Sequence, residues 1–452
     1  MTAAPRTSGS GGLVRNALFH YYPEIRAAAR HVAAGRAAQP AIPLEPGEPG
    51  PAFAAFSDVT DLALTEVEAG LRILDLTRNP GTATTKTMPS LLMIARAAEH
   101  IRRTGERVLL LTPTSGNKGT ALRDAVARAL ANGLASPQDL RIVTLVPTAS
   151  QSKLRHSPLS EDAALREANP VALADVEQPA DVKSLSNEVV EVYADRVLAE
   201  TGFRIWYTLD LDNYRIADAA RAYAEADLYP ITADSAPRVH VHAVSSAFGL
   251  LGYHLGHKML AAGLPGHAVP ARHPAFLIVQ QLATPDMVTS LLGVKVPDYE
   301  QGPDEVWRQR SLAEFPAETD DPDEVIDPTF YTRAPATRPQ LNAIVGRHGG
   351  GGIVVSRREC LQRYDRVRAL ATGAGIDIGA DPTALREWSL VKALTGALVA
   401  RERGLLDPAA DVVVHASGCY RDEILPPLRE EHTIRTDTAG ALADAVLRAT
   451  RA

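Results

Sequence analysis

Six short apolar runs recur along the chain: VLLL at 108–111, IVTLV at 142–146, RVHVHAV at 238–244, AFLIVQQL at 275–282, GIVVS at 352–356 and DVVVHAS at 411–417. Continuous Val/Ile/Leu runs indicate strands covered on both faces, as in parallel sheets. The segments between them carry helical patterns, of which TALRDAVARALANGL (120–134) is the clearest. Strands alternating with amphipathic helices predict an α/β architecture. Leu13, Val14, Leu18, Ile25, Ala28, Val32 and Ala33 repeat at an approximately helical spacing over 13–38, and AIPLEPGEPGP (41–51) reads as a linker. Residues 1–12 are small and polar and are expected to be disordered. The acidic stretch PAETDDPDEVIDP (316–328) has no helical period and predicts an exposed insertion. No internal repeat is visible.

Composition narrows the function classes. The 452 residues are 45% hydrophobic and 22% charged, which fits a globular chain with a sizeable core. Lys and Arg number 47 against 54 Asp and Glu, a net charge of −7 without the basic footprint of a nucleic-acid binder. No apolar run approaches the roughly 18 residues of a membrane span, so no membrane partner is expected. The opening MTAAPRTSGSGG has no apolar core of a secretory signal, which makes a cytoplasmic location the default. The two cysteines, Cys360 and Cys419, build neither a disulfide framework nor a cysteine-only zinc site.

Two strand-to-helix junctions hold the candidate chemistry. In RVLLLTPTSGNKGTALRDAVARAL a strand gives way to a small polar loop and then a helix near Gly119. Helix N-termini present unpaired N–H groups that attract anions. Thr114, Ser115 and Asn117 add side-chain donors there, and Gly116 and Gly119 allow close approach; the same residue types also serve as ordinary helix caps. In VHAVSSAFGLLGYHLGHKML a second strand runs into Ser245-Ser246-Ala247-Phe248-Gly249 and another helix. Two such junctions in one α/β chain suit a ligand with two anionic ends, or a cofactor phosphate and a substrate carboxylate. Upstream, Lys86 sits where a Thr-rich turn enters a helix. The helix field and partial burial would lower its pKa, and a neutral amine can condense with an aldehyde cofactor. A solvated surface lysine is the commoner alternative.

Taken together, these pieces resemble the fold-type II pyridoxal phosphate enzymes, and threonine synthase most closely. The resemblance rests on NPGTATTK (79–86), TSGNKGTAL (114–122), LVPTASQSKLRHS (145–157), VSSAFGLLGYHLGHKMLAAGLP (244–265) and VVVHASGCYRDE (412–423). These occur in the family's order over about residues 60–430. The resemblance implies two three-layer α/β domains with mostly parallel sheets and an active site between them. Residues 1–55 would be an N-terminal extension and linker. Residues 86–204 would form a small domain carrying the substrate-carboxylate loop. Residues 56–85 and 205–452 would form the large domain, with an insertion at about 285–345.

The same resemblance implies pyridoxal 5'-phosphate as cofactor, an amino-acid substrate and a homodimer. Lys86 would carry the cofactor and act as the catalytic base. Asn117 would hydrogen-bond the ring oxygen, and Ser245, Ser246, Ala247, Phe248 and Gly249 would cradle the phosphate. Ser417 would face the pyridine nitrogen. Thr114, Ser115, Gly116 and Asn117 would grip the substrate carboxylate, with Lys118 reading a second anionic group. The expected activity is β- or β,γ-elimination or replacement on an amino acid bearing a leaving group. The family's Phe-Lys-Asp is here Thr85-Lys86-Thr87, its loop threonine is Lys118, and its Gly-Asn before Phe-Gly is Ser246-Ala247. These departures motivate a second reading, a cofactor-binding protein without turnover that serves as a partner or sensor.

Other candidates are weaker. His240 and His242 share a strand face, and His254 and His257 lie three apart on the next helix. No carboxylate accompanies the second pair at helical spacing, so no metal is expected. RHGGGGIVVS (347–356) places its glycines before a strand rather than after one, unlike the dinucleotide fingerprint, and reads as a flexible loop. Arg421 and Asp422 are expected to form a structural ion pair, and Cys419 to be inert if buried. No Gly-x-Ser-x-Gly elbow is present for serine hydrolysis.

Overall fold

The computed structural model describes residues 11–452. The disorder expected for residues 1–10 lies outside them, whereas Gly11 and Gly12 open a strand. Two sheets organise the chain. The larger contains β1 (Gly11–Val14), β2 (Leu62–Glu68), β3 (Leu71–Asp75), β8 (Arg238–Ala243), β9 (Ala275–Gln281), β13 (Gly350–Val355) and β14 (Asp411–Ala416), in the order β1-β2-β3-β14-β8-β9-β13. From β3 onward the neighbours are parallel; β1 and β2 extend the edge antiparallel. The smaller contains β4 (Arg107–Pro113), β5 (Leu140–Pro147), β6 (Val171–Ala174), β7 (Phe203–Tyr207) and β15 (Thr433–Arg435). It is wholly parallel, in the order β15-β6-β5-β4-β7.

The pleat explains the continuous apolar runs. Along β4, Val108 and Leu110 point into the main core, while Leu109 and Leu111 point into a second one against the helices Val182–Thr201 and Ala439–Arg451. Both faces are thus covered by helices, as the unbroken runs predict. All six runs are strands.

The N-terminal segment is part of the body. Its helix spans Tyr22–Ala34, shorter than the helical spacing predicts, because Leu13 and Val14 belong to β1. Tyr22, Ile25, Ala28, Ala29 and Val32 bury one face of that helix. The proline-rich stretch is anchored as well: Ile42 and Leu44 are buried, and the Arg96 guanidinium donates to the Ile42 and Pro43 carbonyls at 3.2 and 2.8 Å.

The C-terminus also departs from expectation. β15 pairs with β6, and the helix Ala439–Arg451 packs on Val182–Thr201, so these residues complete the small sheet. That sheet also runs on through β7, past residue 204.

The acidic stretch is not a simple exposed insertion. It supplies the last strand of a small antiparallel sheet of β10 (Glu300–Gln301), β11 (Trp307–Arg308) and β12 (Glu318–Thr319). Thr319 and Asp327 have no exposed surface. The glycine run is no flexible loop either. Gly350 begins β13 with φ 118°, and a Cβ there would fall 1.9 Å from the Phe276 carbonyl oxygen, so the close pairing with β9 requires glycine.

Candidate active site

A cavity of about 370 Å³ opens between the two sheets, at the carboxyl ends of β4, β8 and β14. Open parallel sheets bind ligands at this end. Lys86, Thr114, Ser115, Asn117, Lys118, Ser245 through Gly249 and Ser417 all line it. Gly116 does not; it shapes the loop from behind.

Lys86 is placed by its turn. The Asn79 side chain accepts from the Gly81 amide at 2.9 Å and donates to Asp124 at 2.9 Å. The Thr85 amide then donates to the Ser417 carbonyl at 3.2 Å, tying the turn to the end of β14. The helix Thr87–Thr104 starts at once. Burial pushes the Lys86 amine below its ordinary pKa, and the Arg221 charge pushes in the same direction against the opposing pull of Asp218 and Glu387. The rings of Tyr214 and Phe248 stand 5.7 and 6.0 Å from Nζ.

The first junction is rigid. The Thr114 hydroxyl accepts from the Gly116 and Gly119 amides at 3.1 and 3.0 Å, so this oxygen holds the loop as well as facing the cavity. Gly116 adopts φ 127°, and a Cβ there would meet the Lys153 Cβ at 2.5 Å. The helix Asn117–Ala131 follows. Asn117 donates to Glu387 at 2.7 Å and accepts from the Tyr420 hydroxyl at 2.7 Å, which fixes its amide and leaves the second N–H for a ligand. Lys118 turns inward: its Nζ is buried without a hydrogen-bond partner among the described residues. Burial, with the charges of Lys183 and Lys86, holds its pKa well below the usual lysine value.

The second junction has the same form. Ala247 takes a left-handed conformation, φ 54°, and delivers the chain into the helix Phe248–Ala261. Thr337 donates to the Ser246 carbonyl at 2.8 Å. Gly249 lies against Arg221, whose guanidinium a Cβ would meet at 2.7 Å. Arg221 is held in turn by Asp218 at 2.7 and 2.9 Å. Across the cavity the Ser417 hydroxyl is buried without a partner among the described residues.

Lys183, Arg221, His242, His415 and the segment 329–332 also line the cavity and have no counterpart in the sequence reading as site residues. In the sequence His242 stands out only as half of a strand pair. Arg221 lies in a bland helix, Lys183 opens another, and the segment follows the acidic stretch; none carries a local motif. Burial depresses the pKa of both His242 and His415 far below the usual range, with the Arg221 charge adding to it, so they form a neutral wall. His240 is committed elsewhere, 2.8 Å from His415 and 3.2 Å from Glu225. Among the described residues the cavity is lined by Lys86, Lys118, Lys183 and Arg221 and by no carboxylate. The lining is therefore cationic.

Behind the first junction lies a buried ion network. Lys153 Nζ sits 3.1 Å from Asp327 and 3.0 Å from Glu387 and also donates to the Arg386 carbonyl. Arg421 and Asp422 do not pair with each other. Arg421 reaches Asp377 at 3.0 Å, and Asp422 takes Arg155 and Arg386 at 2.6 Å each. Cys419 is free and buried, and burial pushes its thiol up, which keeps it from being reactive.

Two α/β layers with parallel sheets, and a lysine-bearing cavity between them at the strands' carboxyl ends, define the fold of the fold-type II pyridoxal phosphate enzymes. Threonine synthase from Escherichia coli is similar at 18% identity and a TM-score of 0.54, over 93% of this chain and 87% of that one. The pyridoxal phosphate-bound threonine synthase of Brucella melitensis is similar at 12% identity and a TM-score of 0.53, over 86% and 80%. The chain itself belongs to DUF6002, a family of unknown function whose model matches residues 13–450. None of the curated protein sequences compared with it matches. Among the described residues no helix is long and apolar enough to cross a membrane.

Proposed function

We propose that this protein binds pyridoxal phosphate in the cavity and catalyses β- or β,γ-elimination or replacement on an amino acid whose side chain carries a leaving group. One observation carries the reading: a half-buried lysine with a depressed pKa, a serine hydroxyl buried without a partner among the described residues and two anion-ready helix N-termini share one cavity without a carboxylate.

The residues present fit the cofactor. The loop Ser245–Gly249, with the N–H groups that open the helix Phe248–Ala261 and the Arg221 guanidinium behind Gly249, would hold a phosphate. Ser417 would meet the pyridine nitrogen with its free hydroxyl, and Asn117 would reach the ring oxygen with its remaining amide N–H. When bound, pyridoxal phosphate supplies an aldehyde that joins amines and a ring that draws electrons from the carbon beside that amine.

Lys86 offers an amine whose lowered pKa eases loss of its proton, able to bond to an aldehyde carbon and to hold a proton released by a substrate carbon. Ser115 and the amides opening the helix Asn117–Ala131 would orient a carboxylate, and the Thr114 cap keeps those amides in place. Lys118, with Lys183 near it, would bind a second anionic group on the side chain. With a hydroxyl and no carboxylate facing the pyridine nitrogen, nothing in the cavity would keep that nitrogen protonated. This favours elimination and replacement over transamination.

The test is direct. Full-length protein incubated with pyridoxal phosphate and reduced with borohydride should carry the cofactor at Lys86 by peptide mass spectrometry. Lys86→Ala should carry none. A panel of O-acyl and O-phospho amino acids should then yield keto acid or a replacement product with the wild type alone. A wild type that takes up no cofactor overturns the reading.

A further inference from the structure

Four histidines gather away from the cavity, where β9 and β13 begin. His254 and His257 lie one turn apart on the helix Phe248–Ala261. His273 stands just before β9, and His348 ends the helix Arg338–His348 just before β13. The two strands are parallel neighbours, with Gly350 opposite Phe276, so both loops meet at the same sheet end. None of the four histidines lines the cavity.

Their rings face one another. His254 Nδ1 lies 3.0 Å from His273 Nε2, and the rings of His273 and His348 stack with centroids 3.5 Å apart and planes 14° apart. One nitrogen from each of His254, His273 and His348 falls within 4.8 Å of the others. The His257 ring adjoins that of His273 at 4.2 Å, and neither of its nitrogens has a hydrogen-bond partner among the described residues. The hydrogen bond between His254 and His273 and the stack of His348 on His273 hold the three rings together, and a turn of the His348 ring out of the stack would aim its in-plane lone pair at the same centre.

The tautomer of His273 is fixed. Its Nδ1 lies 2.8 Å from the Pro274 carbonyl oxygen, which can only accept, so Nδ1 carries the proton and Nε2 presents a lone pair to the cluster. Metal-bound imidazoles are oriented in this way, the outer nitrogen donating to a carbonyl. Neutral imidazole is the ligand form.

We infer that His254, His273 and His348 form a binding site for a divalent transition-metal ion of the zinc class. Three imidazole ligands suit Zn²⁺ with the fourth position left to water, and all three rings here are partly exposed. Nitrogen-only ligation disfavours Mg²⁺ and Ca²⁺, which take oxygen. The ion would staple the helix Phe248–Ala261 to the starts of β9 and β13. An ion that binds only the folded arrangement adds its binding free energy to stability.

Full-length protein stripped with a chelator, without pyridoxal phosphate, would be titrated with Zn²⁺ in a calorimeter and with Co²⁺ in a spectrophotometer. The expected result is one Zn²⁺ per chain, a rise in Tm on binding, and the visible bands of four-coordinate Co²⁺. His273→Ala and His348→Ala should each weaken Zn²⁺ at least about 100-fold, the upper range of what even an outer-shell loss costs, and abolish the rise in Tm. If His273→Ala fails to fold, His348→Ala, whose ring is partly exposed, decides alone. Absence of stoichiometric Zn²⁺ binding overturns the assignment. So does binding that survives both substitutions, or that is lost instead in His242→Ala, which would place the ion in the buried group His240, His242 and His415.

Discussion

Lys118 has no hydrogen-bond partner among the described residues, yet its Nζ is buried. A buried polar group left unsatisfied costs about 1–3 kcal/mol, and a ligand carrying a second anion would offset that cost. Lys118→Met should therefore raise the Tm of the ligand-free protein. The same change should lower kcat/KM about ten- to a hundredfold on substrates with an acidic or phosphorylated side chain, since a charge-assisted hydrogen bond is worth about 1.5–3 kcal/mol. Turnover and melting temperature both unchanged would place Lys118 outside substrate binding. At this scale the sequence was readable where chemistry sits on a local motif. Lys86, Asn117 and Ser417 each stand at the end of an element within a short recognisable string, and all three reach the cavity. Lys183, Arg221 and His415 were illegible as site residues because the contacts that bring them there are distant in the chain. Thr114 was read as a ligand for substrate, whereas its oxygen also caps the loop that would do the binding.

Elements were legible in proportion to their length and burial. The six apolar runs became strands because both faces are covered. β6 has four residues, two per face, and β7 is half-buried along most of its length, so neither shows a clear period. Leu13 and Val14 matched a helical spacing by coincidence with the helix that follows; pairing of β1 with β2 overrides it. The two helix N-termini owe their shape to single residues at unusual backbone angles. Gly116→Ala would place a methyl group 2.5 Å from the Lys153 Cβ at φ 127°. Strained backbone of this kind costs about 1–3 kcal/mol. The variant should lose that much stability in urea denaturation, with reduced cofactor uptake as the Asn117 amide shifts. A midpoint equal to that of the wild type would show that the loop relaxes freely.

The whole molecule is joined by the ion network behind the site. Lys153 comes from the small sheet's side, Asp327 from the acidic stretch and Glu387 from the approach to the helix Ser389–Glu402, and all three side chains are almost wholly buried. Replacing the cation strands two buried carboxylates, and breaking such a pair costs about 3–5 kcal/mol. Lys153→Met should lower stability by that amount in denaturant titration, and a loss below about 1 kcal/mol, the level of an exposed pair, would show that the network is solvated. Burial opposes ionisation of Asp327, but the charges of Lys153 and Lys392 prevail and hold its carboxyl well below the ordinary range. The stability it contributes is present above the ordinary Asp value near 3.9 and is lost as pH falls through the depressed folded value. Acid unfolding of the wild type should therefore be steep below about pH 4 and shallower in Lys153→Met. Nothing in the acidic composition of residues 316–328 marked Asp327 as the buried member, since its partners lie far away in the sequence.

The return of the C-terminus to the small sheet constrains how the protein is made. A ribosome delivers β4 through β7 early, but β15, which covers the edge of β6, emerges only after every strand of the larger sheet. Until then β6 offers an unpaired edge, the kind of surface on which nascent chains misassociate. The site's two walls are also synthesised in different phases, Lys86 before the small sheet and Ser417 after every strand of the larger one. A nascent chain therefore has no complete cavity until Ser417 has emerged, long after Lys86.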